Sequence, residues 1–226
     1  MFTELLFELD KSEIIIEPLR NLNNYPVLTK DRNYIYPLDE LRMLVGQRLI
    51  TIGLNNFFYI QQEVIQTNLV RDHFGKPFLK DYPDVNFNVS HSGVYVGCVF
   101  STMRVGLDIQ KVIKLDTATL ADKFFAPEEK AYLQQSTAYK IEFTRLWTRK
   151  EALCKALGTG LNETLLQMSV LNDLVDEHHL KSQQLADSYW QSICSKGVLQ
   201  PIKLYKMSQS DLLSGKLPTT YNTVEY

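Results

Sequence analysis

Leu146-Trp147-Thr148-Arg149-Lys150-Glu151-Ala152-Leu153-Cys154-Lys155 is the centre of the best-defined periodic segment in the chain. Over residues 142–157, Phe143, Leu146, Trp147, Cys154 and Leu157 recur at helical spacing. Gly158 and Gly160 follow, where glycine commonly ends a helix. Glu151 stands four residues after Trp147 and three before Cys154, so it borders the apolar stripe, where a carboxylate needs a partner. Lys155 lies one turn further along the same face. Spacing alone serves a surface Glu–Lys pair and a cation held against a phosphate equally well.

Upstream, Arg-Val-Gly-Leu-Asp-Ile-Gln at 104–110 alternates as a strand, with Val105, Leu107 and Ile109 on one face and Gly106, Asp108 and Gln110 on the other. If this strand packs on the helix, Asp108, Gln110 and Glu151 offer three oxygens to one hard cation. Mg²⁺ commonly takes one or two protein carboxylates and completes its shell with phosphate and water. Pro127-Glu128-Glu129 opens a further helix.

Residues 85–89 alternate as well, Ser90-His91-Ser92-Gly93 reads as a turn, and residues 94–100 form the return strand. Ser90 and His91 leave opposite faces of a strand, so they make no nucleophile–base pair there. A helix is expected after Pro37, with Leu38, Leu41, Val45, Leu49 and Ile52 as its stripe and Arg42 beside it. Residues 61–68 read as helical or mixed. His73-Phe74-Gly75-Lys76-Pro77 is a loop, in which spacing alone makes Lys76 a solvated lysine. A strand is expected within residues 2–9, and 13–17 are also apolar-rich. Past Leu161 the pattern weakens: strands are expected at 167–171 and 202–205, with an extended or loosely ordered tail from Lys216. The turn at 101–104 divides an N-terminal half, 1–102, from a C-terminal half, 103–226.

Composition narrows the classes. The chain has 226 residues, 45% hydrophobic and 22% charged, enough for a buried core. A net charge of −2 argues against binding nucleic acid through bulk charge. Cys98, Cys154 and Cys194 are odd in number and widely spaced, so neither a disulfide framework nor a zinc site is suggested, and a reduced cytoplasmic protein is expected. Met1-Phe2-Thr3-Glu4 shows no secretory n-region. Residues 86–103 carry no charged side chain, but Asn88, Ser90, His91 and Ser92 make this a pair of strands rather than a membrane span. His178-His179 lacks zinc-site spacing, and Gly75-Lys76 lacks the glycine-rich loop of a Walker A motif.

Phe-Gly-Lys-Pro (74–77), Phe-Asn-Val-Ser-His-Ser (87–92), Val-Gly-Leu-Asp-Ile (105–109), Phe-Phe-Ala-Pro-Glu-Glu (124–129), the 146–155 stretch and Gly-Thr-Gly-Leu (158–161) follow one another in this order. Together they resemble the surfactin-type 4′-phosphopantetheinyl transferases over roughly residues 40–161. The resemblance implies an α+β, pseudo-dimeric fold of two similar halves, with the active site in the cleft between them. It implies transfer of the phosphopantetheine arm of coenzyme A to a serine of an acyl or peptidyl carrier protein, by a monomer using Mg²⁺. Carried over residue by residue, the metal set is Asp108, Gln110 and Glu151. The coenzyme A contacts are Lys30, Arg42, Lys76, Ser90, His91 and Lys155, and the catalytic group is Glu151, Lys155 and Asp108. Many relatives have glutamate where this chain has Gln110, which predicts weaker metal affinity. Lys123, Phe124, Phe125 and Lys130 are expected near the carrier, although the two phenylalanines read equally well as core. Two rivals stand beside this reading: a module that binds coenzyme A or a carrier without catalysis, and a Mg²⁺-dependent phosphotransferase acting on a nucleotide.

Overall fold

The computed structural model describes residues 2–9, 16–22, 36–113 and 116–225. The chain forms two compact units. One holds the residues up to Thr102 together with Pro201–Glu225, and the other holds Met103–Gln200.

The first unit is built on a five-stranded sheet. Its strands are β1 (Phe2–Glu8), β4 (Asn86–Ser92), β5 (Tyr95–Ser101), β10 (Ile202–Met207) and β11 (Asn222–Val224), in the order β11-β10-β1-β5-β4. β1 runs antiparallel to β5, pairing Leu5 with Cys98 and Phe7 with Val96, and parallel to β10. Helix α2 (Pro37–Phe58) lies on one face, with proline in its first turn as the sequence suggests. A Cβ added at Gly53 would stand 2.0 Å from the Phe100 ring, so the missing side chain is what lets helix and sheet approach. Leu5, Phe7, Leu44, Val45, Leu49, Cys98 and Phe100 fill the core between them. Helices α1 (Ile16–Leu22) and α3 (Gln62–Asn68), the small hairpin β2 (Leu69–Arg71) and β3 (Pro77–Leu79), and a last short helix, Gln209–Ser214, complete this part.

The second unit repeats the plan of one long helix on a sheet. Strands β6 (Val105–Lys111), β7 (Leu174–Val175), β8 (His178–Ala186) and β9 (Tyr189–Lys196) run in the order β6-β9-β8-β7, all neighbours antiparallel. Helix α6 (Tyr139–Leu157) packs across β6, β9 and β8. Helices α4 (Thr117–Phe124), α5 (Pro127–Gln135) and α7 (Glu163–Gln167) flank it. Gly158, left-handed at φ 70°, caps α6. The chain is therefore α+β, with two units of like design.

The structure corrects several expectations. Residues 201–225 belong to the first unit, because Ile202, Leu204 and Met207 are buried on β10 beside β1. The tail from Lys216 is tied down by β11. Residues 167–171 form no strand: α7 ends at Gln167, and the following carbonyls are held by side chains of α6. Ser90, His91 and Ser92 continue β4, so the hairpin turns at Gly93 and Val94. Leu38 is exposed rather than part of the buried stripe. Of the apolar-rich residues 13–17, 13–15 lie outside the described residues and 16–17 open α1. Among the described residues no helix is long and apolar enough to cross a membrane.

Candidate active site

The contact between β6 and α6 depends on one residue without a side chain. A Cβ on Gly106 would lie 2.0 Å from the Ala152 carbonyl oxygen and 2.5 Å from the Ala156 nitrogen, both backbone atoms of α6. Gly106 therefore sets the depth at which the strand meets the helix, and its face of β6 is the helix face. Asp108, two residues on, shares that face. A Gly106→Ala variant should lose about 1–3 kcal/mol of stability, measured by urea unfolding, and should also lose activity, because the strand carrying Asp108 is pushed away from the helix carrying Glu151 and Lys155.

From α6, the Lys155 ammonium donates to Asp108 Oδ1 at 2.7 Å and to the Leu107 carbonyl at 3.0 Å. Asp108 is buried and Lys155 about a quarter exposed, so this pair is partly shielded from water. Glu151 lies one turn earlier and is half-buried. Burial pushes its carboxyl above the ordinary glutamate range, the nearby Asp108 carboxylate pushes the same way, and Lys155 offsets part of this. Two carboxylates and one ammonium thus converge from a strand and a helix. Gln110 follows on the same strand face, but its amide is turned back to donate to the Lys111 carbonyl at 3.0 Å. The structure brings together Asp108, Glu151 and Lys155, with Gln110 alongside.

Behind this cluster the sheet offers hydroxyls. Ser192 lies opposite Asp108 on β9 and Ser182 opposite Ser192 on β8. Ser192 shares hydrogen bonds with Thr148 at 2.7 Å and with Ser182 at 2.8 Å. This polar row under α6 breaks the apolar alternation that would have marked β8 and β9 in the sequence.

Arg149 and Lys150 were not singled out by spacing, yet both are fully buried. Arg149 donates to the Val170 carbonyl at 2.6 Å and to the Asn172 carbonyl at 2.5 Å. Lys150 pairs with Glu129 at 2.8 Å and donates to the Met168 carbonyl at 2.9 Å. Glu129 in turn accepts from the backbone nitrogens of Ala126 and Val170. These contacts fix the rotation of α6, and so the direction in which Glu151 faces. The available signal was the second acid of Pro127-Glu128-Glu129, a carboxylate in a first helical turn that the dipole argument had already accounted for.

In the first unit, Arg42 donates twice to the Gly93 carbonyl, at 2.8 and 2.6 Å, and to Asp39 at 2.7 Å, so α2 grips the turn after β4. On β4, Val89 touches the Gly46 position of α2, and His91, two residues on, shares its face of the strand. Ser90 is buried on the other face, as the alternation requires, while His91 is exposed. Lys76 is half-buried in the β2–β3 hairpin, its backbone nitrogen donating to Asp72 at 2.8 Å. Lys30 lies outside the described residues. Of the residues expected near the carrier, Phe125 is core, its ring tilted against those of Phe143 and Trp147. Phe124 is half-buried against Trp147, with the exposed Lys123 ammonium 5.1 Å above its ring, and Lys130 is half-buried.

Comparison with known proteins bears directly on this site. Residues 104–206, which carry Asp108, Glu151 and Lys155, match the model of the 4′-phosphopantetheinyl transferase superfamily. Residues 20–103 match that of the 4′-phosphopantetheinyl transferase N-terminal region. A 4′-phosphopantetheinyl transferase of Bacillus subtilis is 33% identical over 165 residues, 71% of this chain and 70% of its own length. The chain belongs to the 4′-phosphopantetheinyl transferase family. A putative transferase of this kind from Synechocystis is 36% identical over 198 residues, 76% of this chain and 80% of that one. The B. subtilis transferase Sfp is 28% identical over 200 residues, 81% and 87% respectively. This family member thus matches both family models, and the surfactin-type resemblance read from the motifs holds.

Proposed function

We propose that the Asp108–Lys155–Glu151 cluster carries out the reaction of this family, in which the 4′-phosphopantetheine arm of coenzyme A is moved onto a carrier-protein serine and apo carrier becomes holo carrier. The convergence of two carboxylates and an ammonium at the β6–α6 contact is the observation that supports this most strongly.

The donor set fits Mg²⁺. Burial, and after it the nearby Asp108 carboxylate, make Glu151 costly to ionise, and a cation held between the two carboxylates would offset that cost. Among the described residues no group of three His, Cys, Asp or Glu forms a self-sufficient metal site. Asp108 and Glu151 would hold Mg²⁺, with the Gln110 amide oxygen as a third ligand after a side-chain turn. Bound there, Mg²⁺ supplies Lewis acidity and charge neutralisation at the pyrophosphate.

The chain's own groups do the rest. The serine oxygen of the carrier forms a bond to the β-phosphorus, and the bond from that phosphorus to the bridging oxygen breaks, releasing 3′,5′-adenosine bisphosphate. Glu151 accepts the serine proton, a role helped by its raised pKa. Lys155 leaves Asp108 for the charge that builds on the departing α-phosphate. Arg42, Lys76, Ser90 and His91, with Lys30, bind coenzyme A, and Lys123 and Phe124 receive the carrier. One chain supplies every named group, consistent with a monomer, and the three buried free cysteines suit a reduced cytoplasmic setting.

A magnesium titration of transfer tests the metal assignment. Gln110→Glu adds a third carboxylate, and the Mg²⁺ concentration for half-maximal transfer should fall, roughly three- to tenfold. A variant needing as much Mg²⁺ as the parent removes Gln110 from the metal set.

A further inference from the structure

A recess of about 580 Å³ opens where α6 ends, lined wholly by residues of the second unit. Its size falls among small-molecule sites. Leu157, Leu165 and Met168 give it an apolar side, and Glu163, Asp176 and His178 a polar one. His178 faces it from β8 and is only 6% exposed. Among the described residues its imidazole makes no hydrogen bond within the chain, and its ring nitrogens are not among the buried unsatisfied atoms, so they are open to a bound group. Among the described residues, no lysine or arginine lines the recess. Lys196 and Arg104 act on His178 only at longer range, and the Lys196 ammonium is paired with Glu177 at 3.0 Å. Lys155, by contrast, turns to β6, while His178 projects from β8 two strands away.

We propose that this recess binds an organic ammonium ion, an apolar body bearing a protonated amine, as a site separate from the transfer cluster. His178 accepts a hydrogen bond from the ammonium, Glu163 and Asp176 supply the opposing charge, and Leu157, Leu165 and Met168 receive the apolar body. Burial holds the His178 imidazole below its usual pKa, so it is a neutral acceptor near pH 7. An anionic ligand would meet two carboxylates and no cation, so the same lining excludes phosphates and fatty acids.

The test is titration of the full chain with hexylammonium, hexanol and hexanoate, followed by calorimetry and by NMR of the Met168 methyl group and the His178 ring. Hexylammonium should bind saturably and shift both signals, with hexanol and hexanoate at least about tenfold weaker. In the double variant Glu163→Gln, Asp176→Asn the hexylammonium affinity should fall about tenfold or more, while apo-to-holo transfer, which does not use these residues, stays at the parental rate and reports an intact fold. Equal binding of the three ligands, no saturable binding below about 10 mM, or undiminished binding in a double variant with parental transfer overturns the proposal. The three-ligand comparison on the unaltered chain decides it even if the double variant fails to fold.

Discussion

Replacing Glu151 by Gln should leave coenzyme A bound and reduce turnover by about 10²- to 10⁴-fold, the usual contribution of a positioned general base. The substitution keeps the size of the side chain and one oxygen, so α6 and its packing are undisturbed. It removes the proposed proton acceptor and one negative charge beside Asp108. The contacts proposed for coenzyme A lie on Arg42, Lys76, Ser90, His91 and Lys155, none of which changes. Calorimetric titration with coenzyme A should give an affinity close to the parent's, beside a single-turnover rate near background. Lost binding with a normal residual rate would instead make Glu151 a substrate-holding residue and leave the proton without a destination.

The second large effect is on stability. Lys150→Met should cost about 3–5 kcal/mol, the range for breaking a buried ion pair from one side. The pair is 1% and 0% exposed at its side chains, so solvent cannot take over either charge. Methionine fills much of the volume but leaves the Glu129 carboxylate with the Ala126 and Val170 nitrogens alone, and frees the Met168 carbonyl. The double variant Glu129→Gln, Lys150→Met should lose less than the two single variants summed, since the orphaned charge is gone. Chemical unfolding of the four proteins measures both figures. A Lys150→Met loss below about 1 kcal/mol, the level of a surface pair, would mean that the clamp on α6 is not held by this ion pair.

The parts of this architecture legible in the sequence are those where periodicity and packing agree. Helix α6 extends from Tyr139 rather than from residue 142, but its stripe and its glycine cap were readable. The alternation of β6 correctly put Gly106, Asp108 and Gln110 on one face, and the conditional step, that this face meets the helix, is satisfied through Gly106. What stayed hidden depended on partners distant in sequence. β8 and β9 carry Ser182 and Ser192 where a core pattern would carry apolar residues, because hydroxyls there bond to one another and to Thr148. The strand expected at 167–171 was overridden by Arg149 and Lys150, which occupy the carbonyls that a strand would have offered to a neighbour. β10 was readable as a strand, but its place beside β1, far away in the chain, was not. Lys155 was readable as a partner of Glu151 by spacing, yet its direct ion pair is with Asp108, from the strand.

The most direct measurement is intact-mass spectrometry of an apo carrier domain incubated with this protein, coenzyme A and Mg²⁺, beside a chelated control. The carrier should gain the mass of one phosphopantetheine arm when metal is present and none when it is chelated. An unchanged carrier mass across acyl and peptidyl carriers, under conditions where coenzyme A demonstrably binds, would contradict the account and leave a module that holds coenzyme A without transferring from it.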